Sequence, residues 1–99
     1  MFRLSPEAEA ELDGIWIHIA LDTGSTDVAT RIVDSITERF WLLAQHPFIG
    51  RPRDEDFRPG LRSLSADDYV IIHRVTEDGV VHILHVMHGK RDLSALFRD

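Results

Sequence analysis

Tyr69-Val70-Ile71-Ile72-His73-Arg74-Val75, the turn Thr76-Glu77-Asp78-Gly79, and Val80-Val81-His82-Ile83-Leu84-His85-Val86-Met87-His88 decide the fold. Two runs rich in β-branched residues, joined by four turn residues that end in Gly, predict an antiparallel hairpin. Leu61-Arg62-Ser63-Leu64, followed by the turn Ser65-Ala66-Asp67-Asp68, adds a strand in front and completes a three-stranded meander. Alternation places Tyr69, Ile71, His73 and Val75 opposite Val70, Ile72 and Arg74. In the last strand it places Val81, Ile83 and Met87 opposite Val80, Leu84 and Val86. A strand apolar on both faces must be central or have its second face covered, and the expectation from the sequence is a covering partner.

Working outward, the upstream half reads as helices laid over this sheet. Phe2-Arg3-Leu4 suffices for an edge strand. Ser5 suits an N-cap, Pro6 the first helical position, and Glu7 and Glu9 the positive end of the helix dipole. Ala8, Leu12, Ile15 and Ile19 recur at helical spacing, with Glu7, Glu11, Asp13 and His18 largely on the other faces. Thr23-Gly24-Ser25 breaks this helix. A second helix presents Ala29, Ile32, Val33, Ile36, Phe40, Leu43 and Ala44 and stops at His46-Pro47. The short link makes the pair an antiparallel hairpin. Residues 47–60, with Pro47, Gly50, Pro52, Pro59 and Gly60, read as a loop. Ser94 to Phe97 could form a terminal helical turn. The whole predicts a single α+β domain over residues 1–99 in the order β-α-α-β-β-β, with the hairpin packed on a mainly antiparallel sheet.

Composition narrows the function. A formal charge of −6 opposes general nucleic-acid binding, which rests on phosphate neutralisation by clustered Lys and Arg. Residues 1–45 carry the excess acid, whereas residues 46–99 are nearly balanced. The absence of cysteine excludes disulfides, thiolate metal sites and cysteine nucleophiles. No membrane-length apolar run and no signal peptide are present, so a cytoplasmic location and no membrane contact are expected. Neither a cofactor nor a metal is called for: His82, His85 and His88 alternate across a strand and converge only if it bulges.

The residues that could carry chemistry are few. His88, flanked by Lys90 and Arg91, could act as a general base near neutral pH. Arg62 and Arg91 could hold a phosphate through their planar guanidinium groups. A structural role is the alternative, with Arg91 pairing with Asp92 and Arg62 anchoring Asp67 or Asp68. Arg51 and Arg53 bracket Pro52 ahead of Asp54-Glu55-Asp56 and read as a solvated or partner-facing loop. Trp16 lies beside the main helical stripe, and Trp16, Trp41 and Leu96-Phe97 are large side chains of the kind a partner covers.

Leu4-Ser5 with Ala8, Leu12-Asp13-Gly14-Ile15-Trp16, His46-Pro47 with Gly50-Arg51-Pro52-Arg53, Gly60-Leu61-Arg62-Ser63, Tyr69-Val70-Ile71 and His88-Gly89-Lys90-Arg91-Asp92 occur in an order and spacing that resembles the ParE branch of the RelE/ParE toxin superfamily. The resemblance runs from about residue 3 to residue 93. It implies a toxin of a type II toxin-antitoxin system, neutralised by a ParD-like ribbon-helix-helix antitoxin whose C-terminal segment wraps it. RelE-like members cleave mRNA on the ribosome, whereas ParE-like members poison DNA gyrase. Gly60 and Val70 stand where a RelE-like chain would place Lys or Arg, and Phe97 where it would place Tyr. The resemblance therefore implies a gyrase inhibitor, acting on the gyrase A subunit by protein-protein binding, with no catalytic residue of its own and no sequence-specific nucleic-acid binding. Trp16, Arg51, Arg53, Arg62, His88, Lys90, Arg91 and Phe97 become the antitoxin- or target-binding candidates. Two alternatives stay open: an mRNA endonuclease using His88, Arg62 and Arg91, and a non-toxic antitoxin-binding module.

Overall fold

The computed structural model describes residues 1–91 and Leu93. The chain runs β1 (Phe2–Leu4), α1 (Pro6–Thr23), α2 (Thr26–Gln45), β2 (Arg51–Pro52), β3 (Arg62–Ala66), β4 (Tyr69–Val75) and β5 (Val81–His88). Local chemistry sets the helix ends. The Ser5 hydroxyl accepts the Ala8 N–H at 3.0 Å, and the Ser25 hydroxyl accepts that of Val28 at 3.1 Å. Between them Gly24 takes a left-handed φ of 69°, which lets the chain reverse and lay α2 antiparallel on α1.

The sheet has the order β1-β5-β4-β3-β2. β5 and β4 are the central pair with β3, as the meander predicts, and β1 pairs with β5 in parallel. The segment read as a loop contains a fifth strand, because Arg51 and Pro52 pair with Ser63 and Arg62. Proline is tolerated there because β2 is an edge strand. One side of the sheet meets the helical hairpin through Ile36, Phe40 and Leu43 of α2, Ala8 and Leu12 of α1, and Ile71, Val81, Ile83 and Val86 of the sheet. Each large aliphatic or aromatic side chain buried there contributes about 1.5–3 kcal/mol by leaving water.

Two expectations about β5 need correction. His73 pairs with Ile83 and Ile72 with His85, so Leu84 is an extra residue and the strand bulges. A bulge shifts the alternation by one. Val86 therefore joins Val81 and Ile83 against the helices, and Met87 joins Leu84 on the other face, the reverse of the simple period-two assignment. The second correction follows. That other face is covered from within the chain: Phe57, Leu61 and Leu93 pack on Ile72, with Val70, Leu84 and Met87 beside them. The 53–61 segment and Leu93 cover the apolar second face. The terminal turn expected around residues 94–97, with Phe97 in it, lies outside the described residues.

Candidate functional site

The candidate residues fall in separate places on the sheet. Arg62 pairs across β3–β4 with His73, whereas His88 pairs across β4–β5 with Tyr69. Four residue steps along β4, from Tyr69 to His73, separate those positions, about 13 Å at ~3.3 Å per residue, and the two side chains also stand on strands two apart. Arg62, His88 and Arg91 are thus not brought around one phosphate.

Arg62 is occupied locally. Its Nη2 donates to the carbonyls of Phe48 at 2.9 Å and Gly50 at 2.5 Å, and its guanidinium lies 5.3 Å from the centre of the Phe48 ring. It anchors the segment after α2, not Asp67 or Asp68. Asp67 instead accepts from the Ser35 hydroxyl at 3.0 Å.

Beneath the same segment lies His73, which is fully buried. A Cβ on Gly50 would stand 2.6 Å from its Cε1 and 2.9 Å from the Ser63 carbonyl, so only glycine lets the chain pass this close. Its Nδ1 is 3.5 Å from the Ile71 carbonyl, and no described residue hydrogen-bonds its Nε2. Burial pushes the imidazole pKa down to about 4 and the nearby Arg62 charge adds to this, with the Ile71 contact opposing. The ring is neutral at physiological pH.

Arg53 is not a free loop cation. Its Nε and Nη2 grip the Asp56 carboxylate at 3.0 and 2.5 Å, its Nη1 donates to the Ser63 hydroxyl at 2.9 Å, and it stacks 3.9 Å from the Phe57 ring centre. The Arg53 hydrogen bonds hold the Asp56 carboxyl below the usual carboxylate range. Together they clamp the segment that covers the second face. Arg51 projects outward with only a 4.0 Å approach to Asp56. Trp16 is half-buried and donates to the Thr30 hydroxyl at 3.1 Å, tying α1 to α2.

At the end of β5, His88 meets Tyr69 edge-on, with ring centres 5.4 Å apart. Its Nδ1 accepts the Lys90 N–H at 3.1 Å. A neutral ring that accepts at Nδ1 carries its proton on Nε2 and has no free lone pair with which to act as a base. Burial, and the Asp68 charge after it, push the Tyr69 phenol pKa up. The bulge that would be needed to converge the three strand histidines is present, yet each engages a different group: His82 the Thr76 hydroxyl, His85 the Glu11 carboxylate, and His88 the Lys90 N–H. Among the described residues no set of three His, Asp or Glu could hold a metal.

These side chains border a groove of about 380 Å³ between α1 and the end of β5, lined by Glu11, Gly14, Ile15 and His18 on one side and by Tyr69, Val86, Met87, His88 and Arg91 on the other. Glu11, which helical spacing places among the outward polar positions, is its principal surprise. β1 ends at Leu4 opposite Ile83, so among the described residues the later part of β5 has no neighbouring strand on that side. The edge is finished by side chains: the Ser5 hydroxyl donates to the Leu84 carbonyl at 2.7 Å, and the Glu11 carboxylate accepts the Val86 N–H at 3.1 Å. Periodicity contains no signal for this role, because it depends on where β1 stops.

Comparison with known proteins gives a consistent result. The family model described as the ParE toxin of the type II toxin-antitoxin system parDE matches residues 2–93. Toxin ParE1 of Mycobacterium tuberculosis (strain CDC 1551 / Oshkosh) is 35% identical over 92 residues, covering 93% of this chain and 92% of the relative. Toxin ParE1 of Caulobacter vibrioides is 34% identical over 95 residues, covering 95% and 94%. Among solved structures, one described as the chromosomal ParDE TA system from P. aeruginosa superposes with a TM-score of 0.75 at 26% identity, covering 88% of this chain and 92% of that one. The toxin-antitoxin complex RelBE2 from Mycobacterium tuberculosis gives 0.66 at 24% identity, covering 89% and 95%, a likeness of fold alone.

Proposed function

The chain belongs to the ParE toxin family of type II toxin-antitoxin systems, and from that premise we propose that it is a toxin restrained by a ParD antitoxin which, once released, inhibits DNA gyrase by binding its A subunit and stabilising the cleaved DNA complex. The observation that carries the choice of binding over chemistry is the dispersal of the nuclease set. Arg62 is spent on two backbone carbonyls, and His88 accepts a backbone N–H at the nitrogen a base would need. Transition-state support for phosphoryl chemistry requires cations and base aimed at one centre. The formal charge of −6 also works against attraction to RNA.

Expression of the chain without antitoxin tests the reading. The expected result is growth arrest with a DNA-damage response while protein synthesis continues, and, with purified components, accumulation of gyrase-cleaved plasmid. Early loss of translation with cut transcripts would replace this reading with the endonuclease one. No effect on growth in the native host would leave an antitoxin-binding module.

A further inference from the structure

The unfinished edge of β5 carries more than a local repair. By the two-residue repeat of a strand, the N–H and C=O of Val86 and the N–H of His88 point away from β4, on the side where no described strand runs; the His88 carbonyl already accepts the Arg91 N–H at 3.2 Å. Glu11 already holds the Val86 N–H and also pairs with His85 at 3.1 Å. A carboxylate placed across a strand edge does two things. It satisfies a donor that would otherwise invite any extended chain, and it puts a negative charge where an arriving strand must lie. Glu7, one turn earlier on α1, is exposed and adds to that charge. Gly14, one turn later, leaves open space where a side chain would stand, so a backbone can enter beside α1. Ile15 and Met87 give the entrance apolar walls.

We propose that Glu11 is the gatekeeper of this edge, and that the antitoxin segment which docks here is an extended stretch carrying a Lys or Arg that pairs with Glu11 while its backbone takes over the outward groups of Val86 and the N–H of His88. The inference rests on the antitoxin reading above and adds its residue-level selectivity. A neutral or acidic extended segment would have to displace Glu11 from Val86 and leave the carboxylate against the incoming chain. A basic one exchanges the hydrogen bond for a charge pair. The edge is thereby closed to indiscriminate strand addition and open to one chemistry.

The test uses the full chain and the full-length antitoxin encoded beside it. Hydrogen exchange followed by NMR should show the Val86 and His88 amides gaining protection in the complex, a readout that needs no variant. Glu11→Gln keeps an acceptor for Val86 and removes the charge, and should weaken the complex about tenfold, the order of one partly desolvated charge pair. Glu11→Lys should weaken it further and be rescued by one Lys→Glu or Arg→Glu change in the antitoxin's C-terminal segment. If the complex forms with unchanged affinity for both variants, or if the two amides exchange as in the free protein, the gatekeeper role is overturned while the antitoxin reading stands. If no complex forms with the unaltered chain, both fall together.

Discussion

Lowering the pH should destabilise this protein through one histidine. His73 is fully buried, and its pKa falls from 6.5 to about 4 on folding. Between those values the unfolded chain binds a proton that the folded chain refuses, so the stability due to the neutral ring is complete above about pH 6.5 and is lost as pH falls toward 4. The full span corresponds to roughly 3.4 kcal/mol at ~1.36 kcal/mol per unit. Integrated along the titration, the loss is about 1 kcal/mol at pH 6, about 2 at pH 5 and about 3 at pH 4. Against a total stability of about 5–15 kcal/mol, that is a large share. Urea unfolding at pH 8, 6 and 5 would measure it, with His73→Leu and His73→Gln as companions. All other titrating groups remain in the variants, so the difference between the curves isolates His73. The wild type should lose about 2 kcal/mol more than either variant between pH 8 and pH 5. Parallel curves would refute the argument by showing that the imidazole protonates without cost.

Further outcomes follow from the same contacts. Gly50→Ala forces a methyl group into His73 and the Ser63 carbonyl and should cost about 1–3 kcal/mol in the urea midpoint, without altering helix content by circular dichroism. Phe57→Ala removes the main ring over the second face of the sheet and should cost about 3–5 kcal/mol, with exposed apolar surface detectable by dye binding. Ser5→Ala removes both the α1 cap and the donor to Leu84 and should lower stability by about 1–2 kcal/mol, read as a drop in Tm. His88→Ala should leave transcripts uncut, as in the wild type, in the expression assay, since its ring is not poised as a base; transcripts cut by the wild type and spared by a folded variant would revive the nuclease reading.

What the sequence made legible is what short-range chemistry determines. Ser5, Gly24 and Ser25 mark helix ends because caps act within a turn, and the stripe from Ala29 to Leu43 shows its buried face because helical period alone sets it. The alternation in β4 reads correctly for the same reason. It fails in β5 beyond Ile83, because the Leu84 bulge arises from how β4 and β5 meet and leaves no mark in β5 alone. Phe57 was invisible as core: a single ring among Pro, Arg and acids has no period. Arg53 reads from the sequence as a solvated or partner-facing loop residue, and Arg62 as a phosphate ligand or an anchor for Asp67 or Asp68, because their partners, Asp56 and the carbonyls of Phe48 and Gly50, are identified only once the segment folds back on β3. The groove beside Glu11 was the least legible, since it exists because one strand is shorter than its neighbour.

The parallel pairing of β1 with β5 has a bearing on synthesis. Phe2 waits for Val81, and Ser5 for Leu84 across 79 positions of chain, so β1 finds its partner strand only after both helices and three other strands have been made. Contacts of such separation are formed late and slowly, because the intervening chain must first be ordered. A nascent chain arrested before Val81 lacks the strand that joins β1 to β4 beneath the helical hairpin, and with it both the groove and its guarded edge. The groove beside Glu11 is therefore complete only after β5 has been made. Any segment that docks in that groove has most of the time of elongation in which to be present before its site exists.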